Sequence, residues 1–486
     1  MIQPKKPTIP AGTLLQWVSA LPKRLNSGDP TSMRLAVLMS HFFEGPRYHT
    51  QARKELQDRL LDLTYRVARE HVPYYERRLP SVDSASLTVC RLRDLPTISR
   101  AEAYKNNQQL ISPVTTFAFV TFTSGTTRQP PLLIERSTEE QQYISSFFMH
   151  LQASLFLDSK RSAPLGLSEG FLDHGSILRA PAFGYSFVVE LATDRGQNRA
   201  LWLLQKEFQF PRIEHKISAL YGSFYMLRYL CELLKAENAV PPPGQLRSVT
   251  CFGSAVSHAG RQRMAAILGV PIGDNYSLAE MFGGARYCHQ CDAYHFDPFV
   301  IPEVVDLANG EPVEMGSGEL VLTPLFPFTQ RFVLIRYRTG DLVERIVTNC
   351  DQGEEGYRFR GRLKNSIEVG RLGGGLIIGE AEIADALDSL PEVNRSTGTL
   401  TLLSDRTTAG IPMFRISRLA ENGGLHLELE LNREIQFREP IIADIRKAIL
   451  SIVPGNTKEW LSAKPERILI DFIECGILPE RDYFDL

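Results

Sequence analysis

At 486 residues and 54.7 kDa the chain exceeds what one hydrophobic core organises, so two or three domains are expected. Its 43% hydrophobic and 23% charged residues suit a soluble globular protein, and a net charge of −2 excludes polyanion binding, and with it nucleic acid, as the main business. No apolar run reaches the ~18 residues of a membrane span, no apolar core follows Met1–Lys6 as in a secretory leader, and seven cysteines with one close pair point to a reducing cytoplasm and a metal, not a disulfide framework.

Residues 12–79 read as largely helical. Leu14, Leu15, Val18 and Leu21, then Leu35, Leu38, Met39, Phe42 and Phe43, and then Leu56, Leu60, Leu63, Val67 and Ala68 recur at helical spacing. The charges from Arg53 to Arg59 form the solvated face of the last stripe. Leu95-Pro-Thr-Ile-Ser-Arg100 is a loop, and Ser99 with Glu102 three residues on makes a capping-box pattern.

The most distinctive stretch is Val120-Thr-Phe-Thr-Ser-Gly-Thr-Thr-Arg-Gln-Pro130, with five hydroxyl side chains around Gly125. Apolar runs at 117–120 and 132–134 flank it, so strand, polar loop, strand is expected. Backbone N–H groups with the hydroxyls of Thr123, Ser124, Thr126 and Thr127 can cradle a phosphate chain. The Gly-Lys-Ser/Thr of the lysine-bearing P-loop does not follow, and an ordinary Ser/Thr hairpin turn fits the same residues.

Ser137 or Thr138 with Glu140 opens a helix expected to reach Leu155. Gly166-Leu-Ser-Glu-Gly170 matches the serine-hydrolase elbow. Its partners would be Asp297 or Asp306 and His426, the only later histidine, in a charged alternating strand, so the match reads as chance. Residues 246–275 alternate strand, helix and strand, the unit of a parallel sheet. Ligands in such sheets sit at the carboxyl ends of strands, where Gly253 and Tyr276 fall.

Tyr276-Ser-Leu-Ala-Glu280 places a ring that can stack on a base and a carboxylate that can hold Mg²⁺ four residues apart. A strand-to-helix turn with a buried tyrosine fits the same letters. In Arg336-Tyr-Arg-Thr-Gly-Asp341 the aspartate follows a sharp glycine turn, placed to accept both hydroxyls of a ribose or simply to close the turn. Gly361-Arg362 then precedes Lys364 and a run of glycines from Gly370 to Gly379, which reads as a hinge. Beyond it helices at 380–390 and 440–453 and strands at 425–431 and 467–473 outline a small α+β domain. The expected division is residues 1–363, an α/β domain on mixed and parallel sheets, and residues 364–486.

These pieces, in this order and over nearly the whole chain, resemble the adenylate-forming superfamily and, within it, the phenylacetate–CoA ligase-like branch. The helical start ending in His71-Val-Pro-Tyr-Tyr75 and the Leu95–Arg100 loop are similar to that branch. The resemblance implies activation of a small, aryl carboxylic acid with Mg²⁺ and ATP to an acyl-adenylate, then transfer to CoA, a carrier-protein thiol or another nucleophile. It implies that Thr123, Ser124, Gly125, Thr126 and Thr127 hold the pyrophosphate end of ATP, joined by Gly253 and Ser254. It further implies Tyr276 on adenine, Glu280 on Mg²⁺, Asp341 on the ribose, Arg362 on ribose or phosphate, and Lys364 at the hinge. Segments 171–187 and 253–257 would line the acid pocket, and a homodimer is compatible with the family.

Three departures qualify it. The loop continues Arg128-Gln-Pro-Pro131 where relatives have Gly-x-Pro-Lys. Ala279 stands where Ser or Thr is usual. Ile477–Leu486 contains Arg481 but not the lysine that supports adenylation in the family. These changes support an alternative: a non-catalytic homologue that binds a nucleotide or acyl-adenylate beside a partner enzyme.

Cys288-His-Gln-Cys291 with His295 gives C-x₂-C-x₃-H, and Cys350 arrives later. Together they suffice for a closed tetrahedral Zn²⁺ site; free thiols on a loop are the other reading. Cys90, Cys231 and Cys475 read as small hydrophobes.

Overall fold

The computed structural model describes residues 50–80, 87–113, 115–123, 131–138, 140, 164–168, 187–191, 193–209, 215–253, 256–297, 299–371, 375–396, 410–432 and 438–478. Helix α1 (Thr50–His71) buries Leu60, Leu61, Thr64, Tyr65 and Ala68, while Leu63 and Val67 of the expected stripe are half-buried. Ser99 caps α2 (Arg100–Lys105) by accepting from the Glu102 amide. The Glu102 carboxylate does not complete the box. It accepts instead from Tyr74 at 2.6 Å and Arg78 at 2.9 Å, which ties α2 to the turn after α1.

Strands β1 (Phe117–Phe122) and β2 (Leu133–Ser137) form the expected antiparallel pair. Ser137 and Glu140 then exchange bonds, Glu140 N to Ser137 Oγ and Ser137 N to Glu140 Oε2, which is the reciprocal cap of a helix start. Residues 141–163, where that helix was expected to run, lie outside the described residues, as does Gly170 of the Gly-x-Ser-x-Gly match.

The central sheet is twelve-stranded among the described residues. Its parallel half comprises β3 (Pro164–Ser168), β4 (Phe187–Glu190), β5 (Ala219–Ser223), β6 (Ser248–Phe252) and β7 (Ile272–Ser277), in the order β4-β3-β5-β6-β7. Helices α3 (Asp194–Gln205), α4 (Phe224–Ala236) and α5 (His258–Leu268) are the crossovers. After β7 the pairing turns antiparallel, through β8 (Gly284–Cys288), β9 (Ala293–Phe296), β10 (Val300–Val305), β11 (Gly316–Pro324), β12 (Tyr337–Cys350) and β13 (Gly353–Arg362). The short strand Ile98–Ser99 adds to β12 in parallel.

After β13 come α6 (Glu380–Asp388) and a three-stranded sheet of β14 (Phe414–Arg418), β15 (Leu425–Glu430) and β16 (Ile468–Ile473), with α7 (Arg438–Ile452) before the last strand. The expected alternation in β15 holds through Leu429, with Leu425, Leu427 and Leu429 buried and His426 and Glu428 half-buried between them, but breaks at Glu430, which is buried and accepts from Asn394 and the Leu478 amide. His426 bonds Ser417 and Asp471 within this sheet. Apolar residues of α4, α5 and the parallel strands form one contiguous buried cluster with Val369, Ile383, Leu387, Ile449 and Ile470. Cys231 is buried as expected, but Cys90 and Cys475 are exposed. Cys475 Sγ donates to the Leu431 carbonyl, a polar contact that apolar sequence neighbours do not announce.

Candidate functional site

The site is built where the sheet changes from parallel to antiparallel. Tyr276, near the end of β7, packs its ring on Phe359 of β13 with centroids 4.1 Å apart, and Phe296 meets its edge. Its hydroxyl donates to Asp341 Oδ2 at 2.6 Å. Asp341 Oδ1 pairs with Arg362 Nη1 at 2.8 Å across the β12–β13 register that aligns them directly. Ring, carboxylate and guanidinium, far apart in sequence, therefore share one corner. Asp341 beside Arg362 raises the guanidinium's pKa, outweighing burial, while burial and Asp341 together push the Tyr276 phenol well up, so it stays neutral.

The backbone is shaped for this corner at two glycines. Gly340 sits at φ +76°, in the left-handed region, and turns the chain so that Asp341 faces Tyr276. Glu319 accepts from the Gly340 amide at 3.2 Å and, through its other oxygen, from the Arg338 guanidinium. At Gly284 a side chain has no room: a Cβ there would lie 1.9 Å from the Tyr276 carbonyl oxygen. Gly284→Ala is expected to destabilise the chain by about 2 kcal/mol, with the β7–β8 pairing forced apart. A urea midpoint within error of wild type contradicts that packing.

Glu280 is buried just beyond β7, and its Oε1 accepts from Tyr337 at 2.8 Å. Behind the same turn lies Arg136 of β2, itself buried, donating to the Ala279 carbonyl at 2.8 Å and facing Glu140 at 3.6 Å. Burial lowers the Arg136 pKa, opposed by Glu140 and Glu280, so a cation is held inside this corner by two carboxylates. Thr123, where β1 runs out, is buried, and its Oγ1 accepts from Arg100 at 2.8 Å and from the Leu132 amide at 2.9 Å. Ser124, Gly125, Thr126 and Thr127 lie outside the described residues, as does Ser254. Gly253, at φ +80°, ends β6 one strand away from Tyr276. Lys364 is exposed in the single turn Leu363–Asn365, two residues past Arg362.

Arg100, Arg136 and Tyr337 are not marked as site residues by the sequence. Arg100 closes the Leu95–Arg100 loop, and Arg136 lies just beyond the apolar run at 132–134. Tyr337, inside the Arg336–Asp341 motif, was the one with a local signal. Arg336 itself is structural: it adopts φ +52° and binds Glu303 and the carbonyls of Arg93 and Leu95, fastening the N-terminal helices to β12.

Cys288, Cys291, His295 and Cys350 converge, with their ligand atoms all within 4.8 Å of one another. Cys291 Sγ and Cys350 Sγ lie 3.2 and 3.3 Å from His295 Nε2. Three thiols and one imidazole at such spacing match the donor set of a structural Zn²⁺ site. The β8–β9 hairpin supplies the first three and the end of β12 the fourth. The cluster thus joins the segment after Glu280 to the segment after Asp341.

No family model matches the sequence, and no curated protein does. Solved structures do match. The fold is shared with solved structures of 2-hydroxyisobutyryl-CoA ligase, at low sequence identity. Among them, 2-hydroxyisobutyryl-CoA ligase in the postadenylation state with 2-HIB-AMP is 17% identical, with 90% of this chain and 89% of that one covered and a TM-score of 0.65. The same ligase in an open conformation with 2-HIB-AMP and CoA gives 16% identity, 90% and 91% coverage and a TM-score of 0.61. In complex with 2-HIB-AMP and CoA in the thioesterification state it gives 17%, 89%, 88% and 0.52.

Proposed function

We propose that this chain is an ATP-dependent ligase that activates a small carboxylic acid as its acyl-adenylate and passes the acyl group to a thiol, CoA being the first candidate. One observation carries the reading: Tyr276, Asp341 and Arg362 meet at the carboxyl edge of the parallel strands, beside Glu280, on an adenylate-forming fold. In this reading Tyr276 lies along the adenine and Asp341 accepts from the ribose hydroxyls. Arg362 pairs with Asp341 at 2.8 Å and faces the phosphate. The loop from Thr123 to Thr127 takes the pyrophosphate end.

Glu280 is the residue that would hold Mg²⁺: it offers hard oxygen, is fixed by Tyr337, and lies beside the nucleotide corner. When bound, the ion neutralises developing phosphate charge. The substrate carboxylate oxygen attacks the α-phosphorus, the α–β phosphoanhydride bond breaks, and pyrophosphate leaves with the charge. A thiolate then attacks the acyl carbonyl and AMP leaves. Arg100, bonded to Thr123, and Arg136, behind Glu280, bring positive charge to this region in a chain whose last ten residues lack a lysine.

The reading extends to the phenylacetate–CoA ligase-like branch, to an aryl acid, and to residues 364–486 as a separate unit that moves between half-reactions about Lys364. Structural zinc on Cys288, Cys291, His295 and Cys350 and a reducing, cytoplasmic setting belong to the same proposal. No helix among the described residues is long and apolar enough to cross a membrane.

The test is pyrophosphate exchange into ATP across a panel of aryl and short alkyl acids, with CoA present and absent. Acid-dependent exchange is expected. Its absence across the panel, together with retained ATP or AMP binding, supports the second reading, a non-catalytic nucleotide-binding homologue, which Ala279 favours.

A further inference from the structure

Helix α6 is clamped at both ends. At its first turn Arg360 of β13 pairs with Glu382 at 2.8 Å. At its last residue Asp388 Oδ1 accepts from Arg228 of α4 at 2.5 Å and from Arg395 at 2.9 Å, while Oδ2 accepts from Ser257 Oγ at 2.6 Å. Arg263 and Arg395 also donate to the Asp388 carbonyl, cations at a helix C-terminus where the dipole favours them. One turn earlier Asp385 accepts from the Ala259 amide at the opposing start of α5. Ser257 is the N-cap of α5, so its hydroxyl serves both the helix start and Asp388.

The cluster is asymmetric. Asp388 keeps Arg395 as a partner on its own side of the proposed hinge at Lys364. Arg228 is buried and, among the described residues, pairs with no carboxylate but Asp388, while its Nε and Nη2 find no hydrogen-bond partner there. Moving residues 364–486 away would leave Asp388 paired but part Arg228 from its counterion. Breaking one side of a buried pair is strongly unfavourable until water reaches it, so the arrangement seen here is the favoured one, and release is reversible because opening admits solvent.

We propose that Asp388, with Arg228 and Ser257, is a releasable latch that holds residues 364–486 against α4 and α5, and that its release paces the step after acyl-adenylate formation. The pacing part rests on the activity proposed above; the latch rests only on the proposed division at Lys364, which the hydrogen-exchange experiment tests without any reaction. The variant is Arg228→Met, which removes the cross-hinge partner and leaves Asp388–Arg395 intact, with Arg228→Lys as the charge-restoring control. In the full chain without ligands, amide hydrogen exchange in segments 258–261 and 380–388 is expected to rise roughly tenfold in Arg228→Met. It should stay near wild type in Arg228→Lys, with β14–β16 unchanged in both. Unchanged exchange at those segments, or a rise spread through β14–β16, overturns the latch. On the reaction, pyrophosphate exchange should fall and transfer from preformed acyl-adenylate to CoA should quicken. Raised hydrogen exchange with both half-reactions unaltered overturns the pacing role. A wild-type chain inactive with every acid contradicts the proposed function but leaves the hydrogen-exchange result to decide the latch.

Discussion

Glu280→Ala is expected to lower acid-dependent pyrophosphate exchange by about 10²- to 10³-fold, the scale of losing one preorganised electrostatic group at a phosphoryl or acyl centre. The alanine also leaves the buried Tyr337 hydroxyl without its acceptor, a loss of about 1–3 kcal/mol in stability. Glu280→Gln separates these effects. Glutamine can still accept from Tyr337, so its melting temperature should stay close to wild type, yet its neutral amide is a far weaker Mg²⁺ ligand. The expected Gln phenotype is a large fall in rate and a higher Mg²⁺ concentration for half-maximal exchange. A Gln variant as fast as wild type at low Mg²⁺ removes Glu280 from the metal role.

The second large effect is on the cysteine cluster. Purified chain is expected to carry about one zinc, read by native mass spectrometry or elemental analysis, and Cys350→Ser is expected to lose most of it. Four protein ligands leave no open position, so a zinc ion bound there would stiffen the fold and perform no chemistry. Cys350 ends β12, nine residues after Asp341, and the other ligands lie on the hairpin that follows Glu280. Loss of the link should therefore cost on the order of 3 kcal/mol in stability and raise the KM for ATP more than it lowers the rate of bound substrate. Chelation by a strong zinc ligand should reproduce the Cys350→Ser phenotype in the wild type. A metal-free protein with wild-type stability sinks the assignment and leaves four free thiols.

How much of this was readable in advance follows from the range of each interaction. The strict alternation of Leu425, Leu427 and Leu429 reports which face of a strand is buried. The alternation of strand, helix and strand over 246–275 gives a parallel pair, because two parallel strands need a crossover between them. Ser99 before Glu102 marks a helix start, but the letters could not say that Glu102 would turn to Tyr74 and Arg78, residues of a different element.

The candidate site divides in the same way. The residue types and their order were legible: a ring and a carboxylate at Tyr276 and Glu280, an aspartate after a glycine turn, an arginine before a hinge, and Cys-x₂-Cys-x₃-His. Their meeting was not. Tyr276 reaches Asp341, and Asp341 reaches Arg362, only through the antiparallel register of β12 and β13 and the packing of Phe359 beneath the ring. Cys350 completes the thiol cluster because β12 is long enough to return beside the β8–β9 hairpin.

By itself, then, the amino-acid sequence determined the local elements, the turn geometry that needs glycine, and the chemical inventory, since each depends on neighbours within a few residues. Only the tertiary structure decided which group each guanidinium meets: Arg100 the Thr123 hydroxyl, Arg136 the Ala279 carbonyl, and Arg228 the Asp388 carboxylate. Such pairs are separated by 23 to 160 residues. Burial selects them, because a guanidinium or carboxylate removed from water must find its partner wherever the packed chain supplies one.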